Sequence, residues 1–290
     1  MPKFFNYGEK RGKYDCNFKK GFSVTKKMDG SLIQVFLWDG NIIVSSKGSF
    51  HSDQANWASK ILLRMINTQN LEFKEGLTYS FELIHPENRI VCNYGYREDL
   101  TLLSVRDSEG RELNLAEFSE FNVVETISLG ITKYKDLKEI KIPDDEEGYV
   151  ILFDNGNRVK IKGDEYCRLH RIVTNTTSYD IYDALKNDLD MSEMTDRVPD
   201  EFLSWYFQTV GKIHLEFRRV QSEIDLEIEY LTDQTLDSII EREWSRKDSA
   251  KIIKNMKYKS ELFLWLDGRS YDSLIWDRIK PDFEKAFNGT

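Results

Sequence analysis

The sequence has no long apolar run and little cysteine. None of its hydrophobic stretches approaches the length of about 20 residues that a membrane-spanning helix requires, and its first residues contain no apolar run of signal-peptide length. Its three cysteines, Cys16, Cys92 and Cys167, are far apart and form no Cys-x-x-Cys pair. These absences exclude insertion into a membrane, argue against a disulfide framework or a structural zinc site, and indicate a reducing cytoplasm.

The charge balance is acidic. The 290 residues include 41 Lys and Arg against 50 Asp and Glu, a formal net charge of −9, with 40% hydrophobic and 31% charged residues. This composition excludes general disorder, and the length suffices for one large domain or two ordinary ones. The acidic balance argues weakly against non-specific nucleic-acid binding, but seven basic residues lie between Lys10 and Lys27, where Asp15 is the only acidic residue.

Strand patterns dominate the chain up to about residue 173. Leu32–Trp38 and Asn41–Ser46 flank Asp39-Gly40, which predicts a hairpin with a two-residue turn. A second hairpin is predicted for Gly148–Phe153 and Arg158–Lys162, turning at Asp154-Asn155-Gly156. Further strands are predicted for Thr78–Ile84, Arg89–Tyr94 and Leu100–Arg106.

Helical spacing occurs once in this part and dominates after Tyr179. Ser52 could cap a helix whose apolar face is Ala55, Ala58, Ile61, Leu62, Met65 and Ile66. Alternating spacings of three and four predict one long helix through Leu203, Tyr206, Val210, Ile213, Phe217, Val220 and Ile224. A coiled-coil dimer could use that stripe, but a helix packed inside its own domain is favoured. With a helical pattern from Glu243 to the end, the chain is predicted to be α+β over residues 1–173 and all-α over 174–290.

The segment Lys27-Met28-Asp29-Gly30 carries the sharpest chemical signal. A lysine becomes a nucleophile when its pKa is lowered, and Lys19, Lys20 and Lys26 could supply the positive field that does so. A glycine after the aspartate lets the backbone approach a bulky ligand. The four residues alone are weak evidence, because an exposed lysine before an Asp-Gly turn is the commoner explanation.

Four further segments follow Lys27 in order: Lys47-Gly48-Ser49, Phe81-Glu82, Glu147-Gly148 and Lys160-Ile161-Lys162. Strand alternation places Lys160 and Lys162 on one face, where two cations form either a solvated edge or a grip on a triphosphate. Glu82 is either a carboxylate on the solvent face of a strand or an acceptor for a sugar hydroxyl. Glu147 either ends a solvated acidic loop or holds Mg²⁺.

The ordered set resembles the covalent nucleotidyltransferases, and within them the phage-type RNA ligase 1 family of tRNA-repair ligases. The remaining segments that carry the likeness are Lys3-Phe4-Phe5-Asn6, Asn88-Arg89-Ile90-Val91, and Val159 through Tyr166 to Leu169-His170. The resemblance covers residues 3 to 170. Beyond that, the chain is similar to the family only in the size and helicity of its C-terminal domain.

The resemblance implies an ATP-dependent RNA ligase that acts in RNA or tRNA repair. Its expected fold is a nucleotidyltransferase (ATP-grasp-like ligase) domain of antiparallel sheets with helices over 1–173, followed by a helical domain over 174–290 that selects RNA. Lys27 would attack the α-phosphorus of ATP to form lysyl-AMP. The adenylate would then pass to an RNA 5′-phosphate, and an RNA 3′-hydroxyl would displace AMP.

The resemblance also implies a role for each residue of the set. Lys160 and Lys162 would hold the α-phosphate, Glu82 the ribose, and Glu147 would bind Mg²⁺ directly or through water. Lys47 would contact phosphate on the nucleotide or RNA, and Lys3 the ATP tail. Tyr166 would either help to shape the site or lie in the core.

The expected partner is RNA, such as a nicked tRNA anticodon loop, in the cytoplasm, or in the host cytoplasm if a phage encodes the protein. In the family, sequence with a phosphate-binding arginine precedes the segment that Lys3–Asn6 resembles. A mis-assigned start, a separate chain or a decayed copy would each explain its absence here. The alternatives are an RNA-binding remnant without catalysis, and a DNA ligase or capping enzyme. The helical tail argues against the second alternative, because those enzymes usually append an oligonucleotide-binding barrel.

Overall fold

The computed structural model describes residues 3–9, 16–69, 71–239 and 245–286, apart from the side chains of 235–239. Lys10, Arg11, Lys13 and Asp15 of the predicted basic segment, and the end of the predicted C-terminal helical region, lie outside these residues. The chain divides into two compact units, residues 1–171 and 172–290.

The first unit is built on two sheets. Its described strands are β1 (Phe5–Asn6), β2 (Phe22–Lys27), β3 (Ser31–Trp38), β4 (Asn41–Ser46), β5 (Thr78–Ile84), β6 (Asp99–Arg106), β7 (Gly148–Phe153) and β8 (Arg158–Lys162). One sheet has the order β1–β8–β7–β2, in which only β1 and β8 are parallel. The other has the order β4–β3–β5–β6 and is antiparallel throughout. The α+β class with antiparallel sheets is therefore confirmed.

Turn chemistry sets both predicted hairpins. Asp39 and Gly40 have φ values of 51° and 72°, so the β3–β4 turn twists as a two-residue hairpin requires, with Trp38 paired to Asn41. In the β7–β8 hairpin the Phe153 amide donates to the Asn157 carbonyl, and Gly156 takes a φ of 81°. Both hairpin predictions are confirmed.

The predicted strand Arg89–Tyr94 is wrong. Residues Pro86–Asn88 form a short 3-10 helix, and residues 89–98 form no strand. The backbone amides of Val91 and Cys92 donate to the Asp29 carboxylate, so they are not available to a strand ladder. A side chain distant in sequence has thus overridden the local apolar pattern.

Each sheet has its own core. Helix α1 (Asp53–Gln69) packs against β3, β4 and β6 and buries Ala58, Ile61, Leu62 and Met65 in the core of this sheet. The Ser52 hydroxyl caps the helix by accepting from the Ala55 amide at 3.2 Å. The predicted helix and its cap are confirmed. The sheet of β2, β7 and β8 packs around a separate cluster that includes Val24, Ile151 and Val159. Two further 3-10 helices, Leu115–Phe118 and Tyr134–Glu139, lie between β6 and β7 in the chain.

The second unit is helical. Helix α2 (Asp164–Asn175) crosses the boundary and is followed by α3 (Ser178–Lys186), α4 (Ser192–Thr195), α5 (Asp200–Ile239), α6 (Arg246–Ile253), α7 (Lys259–Leu266) and α8 (Asp272–Arg278). Helix α5 packs against α3, α6, α7 and α8, so its apolar stripe is used inside its own unit, as the favoured interpretation predicts. Among the described helices, none combines the length and apolarity needed to cross a membrane.

Gly30 lies in the connection between the sheets, where close backbone packing leaves no room for an added methyl group. A Cβ there would lie 2.2 Å from the Leu83 carbonyl oxygen, whereas a Cβ at Gly48 would meet nothing within 4 Å. We expect Gly30→Ala to destabilise the protein by roughly 1–3 kcal/mol through overpacking. Gly48→Ala should change stability by no more than about 0.5 kcal/mol. Thermal denaturation of the full chain measures the difference, and equal melting temperatures for the two variants would contradict the close-packing argument.

Candidate active site

Residues 28–30 connect the two sheets, because β2 ends at Lys27 and β3 begins at Ser31. Asp29 lies in the middle of this connection and is only 4% exposed. Its backbone amide donates to the Tyr94 hydroxyl at 2.9 Å, and the Gly30 amide donates to Glu82 Oε1 at 3.1 Å. Contacts from two other segments thus fix the backbone that follows Lys27.

Both oxygens of the Asp29 carboxylate accept hydrogen bonds. Oδ2 accepts from the amides of Val91 and Cys92 at 2.9 and 2.8 Å, and Oδ1 accepts from the Tyr166 hydroxyl at 2.7 Å. Asp29 therefore ties the connection to loop 89–98 and to the start of α2. Tyr166 both lies in the core and helps to build the site, so the two interpretations of this residue are compatible.

Strand register brings Lys27 and Lys162 to the same carboxylate. Gly148 is paired with Lys27 on one side and with Lys162 on the other. Lys27 Nζ lies 2.8 Å from Glu147 Oε2, and Lys162 Nζ lies 2.9 Å from Oε1. The side chain of Glu147 is 3% exposed, so the site contains a buried carboxylate shared by two cations. The alternative of a solvated loop carboxylate is therefore wrong for Glu147, although Asp144 and Asp145 before it are exposed.

The expected lowering of the Lys27 pKa is wrong. Burial does lower the pKa of Lys27, but the negative charges of Glu147, Glu82 and Asp29 outweigh it, and the pKa lies above its ordinary value. Lys26 supplies no positive field, since its ammonium pairs with Glu125 and Glu146 at 3.0 and 3.1 Å.

Lys19 and Lys20, the other two cations in that expectation, are exposed residues of the turn before β2. Without bound nucleotide, Lys27 is therefore held as an ammonium ion.

Glu82 is buried, so the alternative of a solvent-facing carboxylate is wrong for this residue. Burial raises its pKa to about 8, despite the opposing effect of Lys27. At neutral pH the side chain is mostly protonated, and it can both accept the Gly30 amide and donate to a ligand.

Lys160 and Lys162 extend from the same face of β8, as the strand alternation predicts. Lys160 is half-buried, and burial together with Lys27 and Lys162 lowers its pKa. Its ammonium lies 5.5 Å from the centroid of the Phe4 ring, and that of Lys162 lies 4.8 Å from the Tyr166 ring. Lys27, Lys160 and Lys162 thus concentrate positive charge around Glu147.

Lys3 and Lys47 do not join this cluster. Lys3 is exposed before β1, with its ammonium 5.7 Å from the Phe5 ring. Lys47 is exposed in the turn after β4 and pairs with no described carboxylate. Their predicted contacts with phosphate remain predictions.

Sequence reasoning assigned no role to Asp29, Asn88, Tyr94 or His170. The sequence could have indicated a role for Asp29, because this residue has a fixed place in the Lys-x-Asp-Gly motif. Asn88, which accepts from the Ser31 hydroxyl at 3.0 Å, and His170, whose pKa is lowered by burial and by Lys162, both lie within segments that carry the resemblance. Tyr94 had no signal, because it fell in the wrongly predicted strand.

The described residues contain no group of three His, Cys, Asp or Glu side chains that could hold a metal ion by themselves. The donor set still fits Mg²⁺, which proteins commonly bind through one or two carboxylates while substrate phosphates and water complete the shell. Glu147, which lines the cavity beside Lys27, is the carboxylate that would hold it, and this predicted role remains a prediction. A divalent cation bound there together with phosphate would rearrange the contacts of Glu147 with Lys27 and Lys162.

Two cavities border this cluster. One, of about 440 Å³, is lined by Lys27, Glu147 and Tyr94 among others. The other, of about 770 Å³, is lined by Lys160, Lys162 and Asn6 among others. Glu147 contacts a lysine from each, so its carboxylate lies where the two cavities approach one another.

Three of the known proteins to which this chain is similar carry RNA ligase in their names. A Thermovibrio ammonificans protein named "Putative RNA ligase" is 28% identical over 185 residues, which cover 59% of this chain and 48% of that protein. A protein of Autographa californica nuclear polyhedrosis virus, named "Putative bifunctional polynucleotide kinase/RNA ligase", is 25% identical over 202 residues, covering 59% of this chain and 28% of that protein. The chain spans half or less of the length of these relatives.

A solved structure of Naegleria gruberi RNA ligase with PPi aligns with a TM-score of 0.43 and 20% identity, over 52% of this chain and 51% of that chain. The model of the family described as RNA ligase, the phage-type RNA ligase 1 family, matches residues 1–166. That match does not favour a DNA ligase or a capping enzyme. Because the match covers more than half of the 290 residues, the chain belongs to this RNA ligase family.

Proposed function

We propose that this chain is an ATP-dependent RNA ligase that joins RNA 5′-phosphate and 3′-hydroxyl ends through lysyl-AMP and RNA-adenylate intermediates. The observation that carries the proposal is the position of Lys27, whose mostly buried amine lies 2.8 Å from Glu147 with Lys160 and Lys162 nearby. A single nucleophile surrounded by fixed charges is what nucleotidyl transfer requires, since catalysis of this chemistry rests on positioning and electrostatics.

In the proposed first step the neutral amine of Lys27 attacks the α-phosphorus of ATP. A nitrogen–phosphorus bond forms, the bond to the β-phosphate oxygen breaks, and pyrophosphate leaves while the amine loses a proton. Lys160 and Lys162 stabilise the charge that develops on the α-phosphate oxygens. Glu82, with its proton, donates to a ribose hydroxyl or accepts from one.

Two further steps complete the proposed ligation. An oxygen of the RNA 5′-phosphate attacks the α-phosphorus, and the bond to Lys27 breaks to give the RNA-adenylate. The RNA 3′-hydroxyl then attacks the 5′-phosphorus, which releases AMP and leaves a phosphodiester. As its bond to phosphorus breaks, the Lys27 nitrogen takes up protons from solvent, so the second step returns Lys27 to the ammonium form.

Glu147 keeps Lys27 protonated until ATP binds. In the ligand-free protein this carboxylate favours the ammonium form, which cannot attack phosphorus. Mg²⁺ held by Glu147 would supply positive charge that opposes the ammonium form and neutralises phosphate. Glu147 would therefore keep Lys27 in its unreactive ammonium form before ATP binds, and would also bind the Mg²⁺ that favours the neutral amine.

We propose RNA with a break in a single-stranded loop, such as a nicked tRNA anticodon loop, as the substrate, and selection of that RNA by the helical residues 174–290. RNA-sealing relatives and the ordered site support the RNA class, and single-stranded loops are where proteins most often read RNA. The three free cysteines suit a reducing compartment, so we place the activity in the cytoplasm.

Incubation with ATP and Mg²⁺ should add one AMP to Lys27. The Lys27 amine borders the 440 Å³ cavity and is 20% exposed, so it can reach a nucleotide. Mass spectrometry of the intact and digested protein should locate the adduct, and Lys27→Ala should abolish it. An adduct on another residue, or one that survives this substitution, would show that Lys27 is not the nucleophile.

Glu147→Gln should lower the pKa of Lys27. The substitution removes the charge that favours the ammonium form and leaves the burial that opposes it. Acylation of Lys27 by an amine-selective reagent, followed by mass spectrometry from pH 7 to 11, should show its midpoint at a lower pH in the variant. Exposed Lys47 is the internal control, and its profile should coincide in the two proteins. An unchanged or higher midpoint for Lys27 would refute the role given to Glu147.

Lys160→Ala and Lys162→Ala should each slow lysyl-AMP formation on the order of 10²–10³-fold, the usual cost of removing one pre-organised charge. Lys160→Ala should keep the native melting temperature, because a half-buried strand-face lysine adds little packing. Lys162→Ala should lower it, because Glu147, whose side chain is 3% exposed, then keeps only the Lys27 ammonium as an ion-pair partner. Lys135→Ala removes an exposed lysine from the 3-10 helix Tyr134–Glu139 and serves as the control. Wild-type rates for both β8 variants would exclude a role in phosphate stabilisation, and loss of folding would assign them a structural role.

A further inference from the structure

Loop 89–98 is fixed to the backbone that carries Lys27. The amides of Val91 and Cys92 donate to the Asp29 carboxylate, and the Tyr94 hydroxyl accepts from the Asp29 amide. Asp29 is two residues from Lys27. Residues on this loop therefore hold a set position relative to the proposed nucleophile.

The outer side of the same loop presents an aromatic ring. Tyr96 is 97% exposed, the highest value among the exposed large hydrophobic side chains of the described residues. The turn that presents it is defined by Gly95, which has a φ of 64° and whose amide donates to Asn93 Oδ1 at 2.8 Å. Tyr96 follows Tyr94 by two residues, so their Cα atoms are at most about 7 Å apart.

The loop also lines the cavity that holds Lys27. Asn93, Tyr94 and Arg97 border the 440 Å³ cavity together with Lys27 and Glu147. Tyr94 and Arg97, which precede and follow Tyr96 in the loop, thus reach the cavity. Tyr96 therefore lies in the part of the loop that borders the rim of this cavity.

The charges of this cavity do not favour a phosphate backbone. Its lining includes Glu125, Asp145 and Glu146 in addition to Glu147. Each of its three cations is already paired: Lys26 with Glu125 and Glu146, Lys27 with Glu147, and Arg97 with Asp99. At the rim of this cavity a planar, uncharged base is therefore favoured over further RNA phosphates, whereas the phosphate that reacts at Lys27 lies towards Lys160 and Lys162, which line the other cavity.

We propose that Tyr96 is a stacking platform for the 5′-terminal nucleobase of the RNA strand that is sealed. The inference rests on the proposed function, in which the RNA 5′-phosphate must reach the phosphorus on Lys27, so the first base lies next to this rim. Base–aromatic stacking tolerates every base, because each has a π face. The platform would therefore orient the 5′ end without selecting its sequence.

The test measures the affinity of the full chain for two single-stranded oligoribonucleotides by fluorescence anisotropy. Both carry a 5′-phosphate, and one lacks the 5′-terminal base. We expect wild-type protein to bind the complete strand about tenfold more tightly than the abasic one, the order expected for stacking one base. Tyr96→Ala should bind both with the lower affinity, and Tyr96→Phe should restore the difference, since it keeps the ring.

Trp38→Ala is the matched control, because Trp38 is also an exposed aromatic, at 71%, but lies at the β3–β4 hairpin outside the cavity lining. It should keep the wild-type difference. An equal preference for the complete strand in wild type and Tyr96→Ala would overturn the proposal. A third strand, which lacks only its 3′-terminal base, tests the other end. If Tyr96→Ala changed the affinity that depends on the 3′-terminal base and not the affinity that depends on the 5′-terminal base, the proposal would also be overturned.

Lysyl-AMP formation separates this proposal from the proposed function. A fall in lysyl-AMP formation in Tyr96→Ala, measured without RNA, would assign the ring to the adenine of ATP and overturn the inference. Absence of lysyl-AMP in the wild-type protein would refute the proposed function, while the two affinities would still decide whether Tyr96 stacks the 5′ base.

Discussion

The buried carboxylate of Asp29 holds together three segments that are distant in sequence. It accepts from the loop at Val91 and Cys92 and from Tyr166 at the start of α2, while its own backbone connects the two sheets. A buried carboxylate without partners is costly, so each of these hydrogen bonds is needed in the folded state. The position of Lys27, two residues earlier, follows from this arrangement.

Glu147 plays the corresponding part in the electrostatics of the site. Lys27 on β2 and Lys162 on β8, the two strands that flank β7, share its carboxylate. Gly148 allows the close approach of β7 and β8, because a Cβ there would lie 2.0 Å from the Ile161 carbonyl oxygen. The close approach of β7 and β8 therefore brings cation and carboxylate together. The same pairing raises the pKa of Lys27, so the geometry that positions the proposed nucleophile also keeps it protonated in the ligand-free protein.

The parts of the fold that the sequence predicted are those governed by local rules. Asp39-Gly40 specifies a hairpin turn, Ser52 caps a helix, and the apolar spacing in α1 and α5 defines their buried faces. The predicted strand at 89–94 failed because its amides serve Asp29, which lies about 60 residues earlier in the chain. Local pattern cannot show a hydrogen bond of that range.

The sequence by itself determined the identity and order of the lysines and carboxylates, and with them the family, because the ordered set is specific even though each motif alone is weak. Only the tertiary structure decided the protonation states and the neighbours. Lys27 meets Glu147 and not the cations next to it in the chain, and Glu82 is buried with a pKa of about 8. The physical reason is that a pKa depends on burial and on charges within a few ångströms, and the fold determines both.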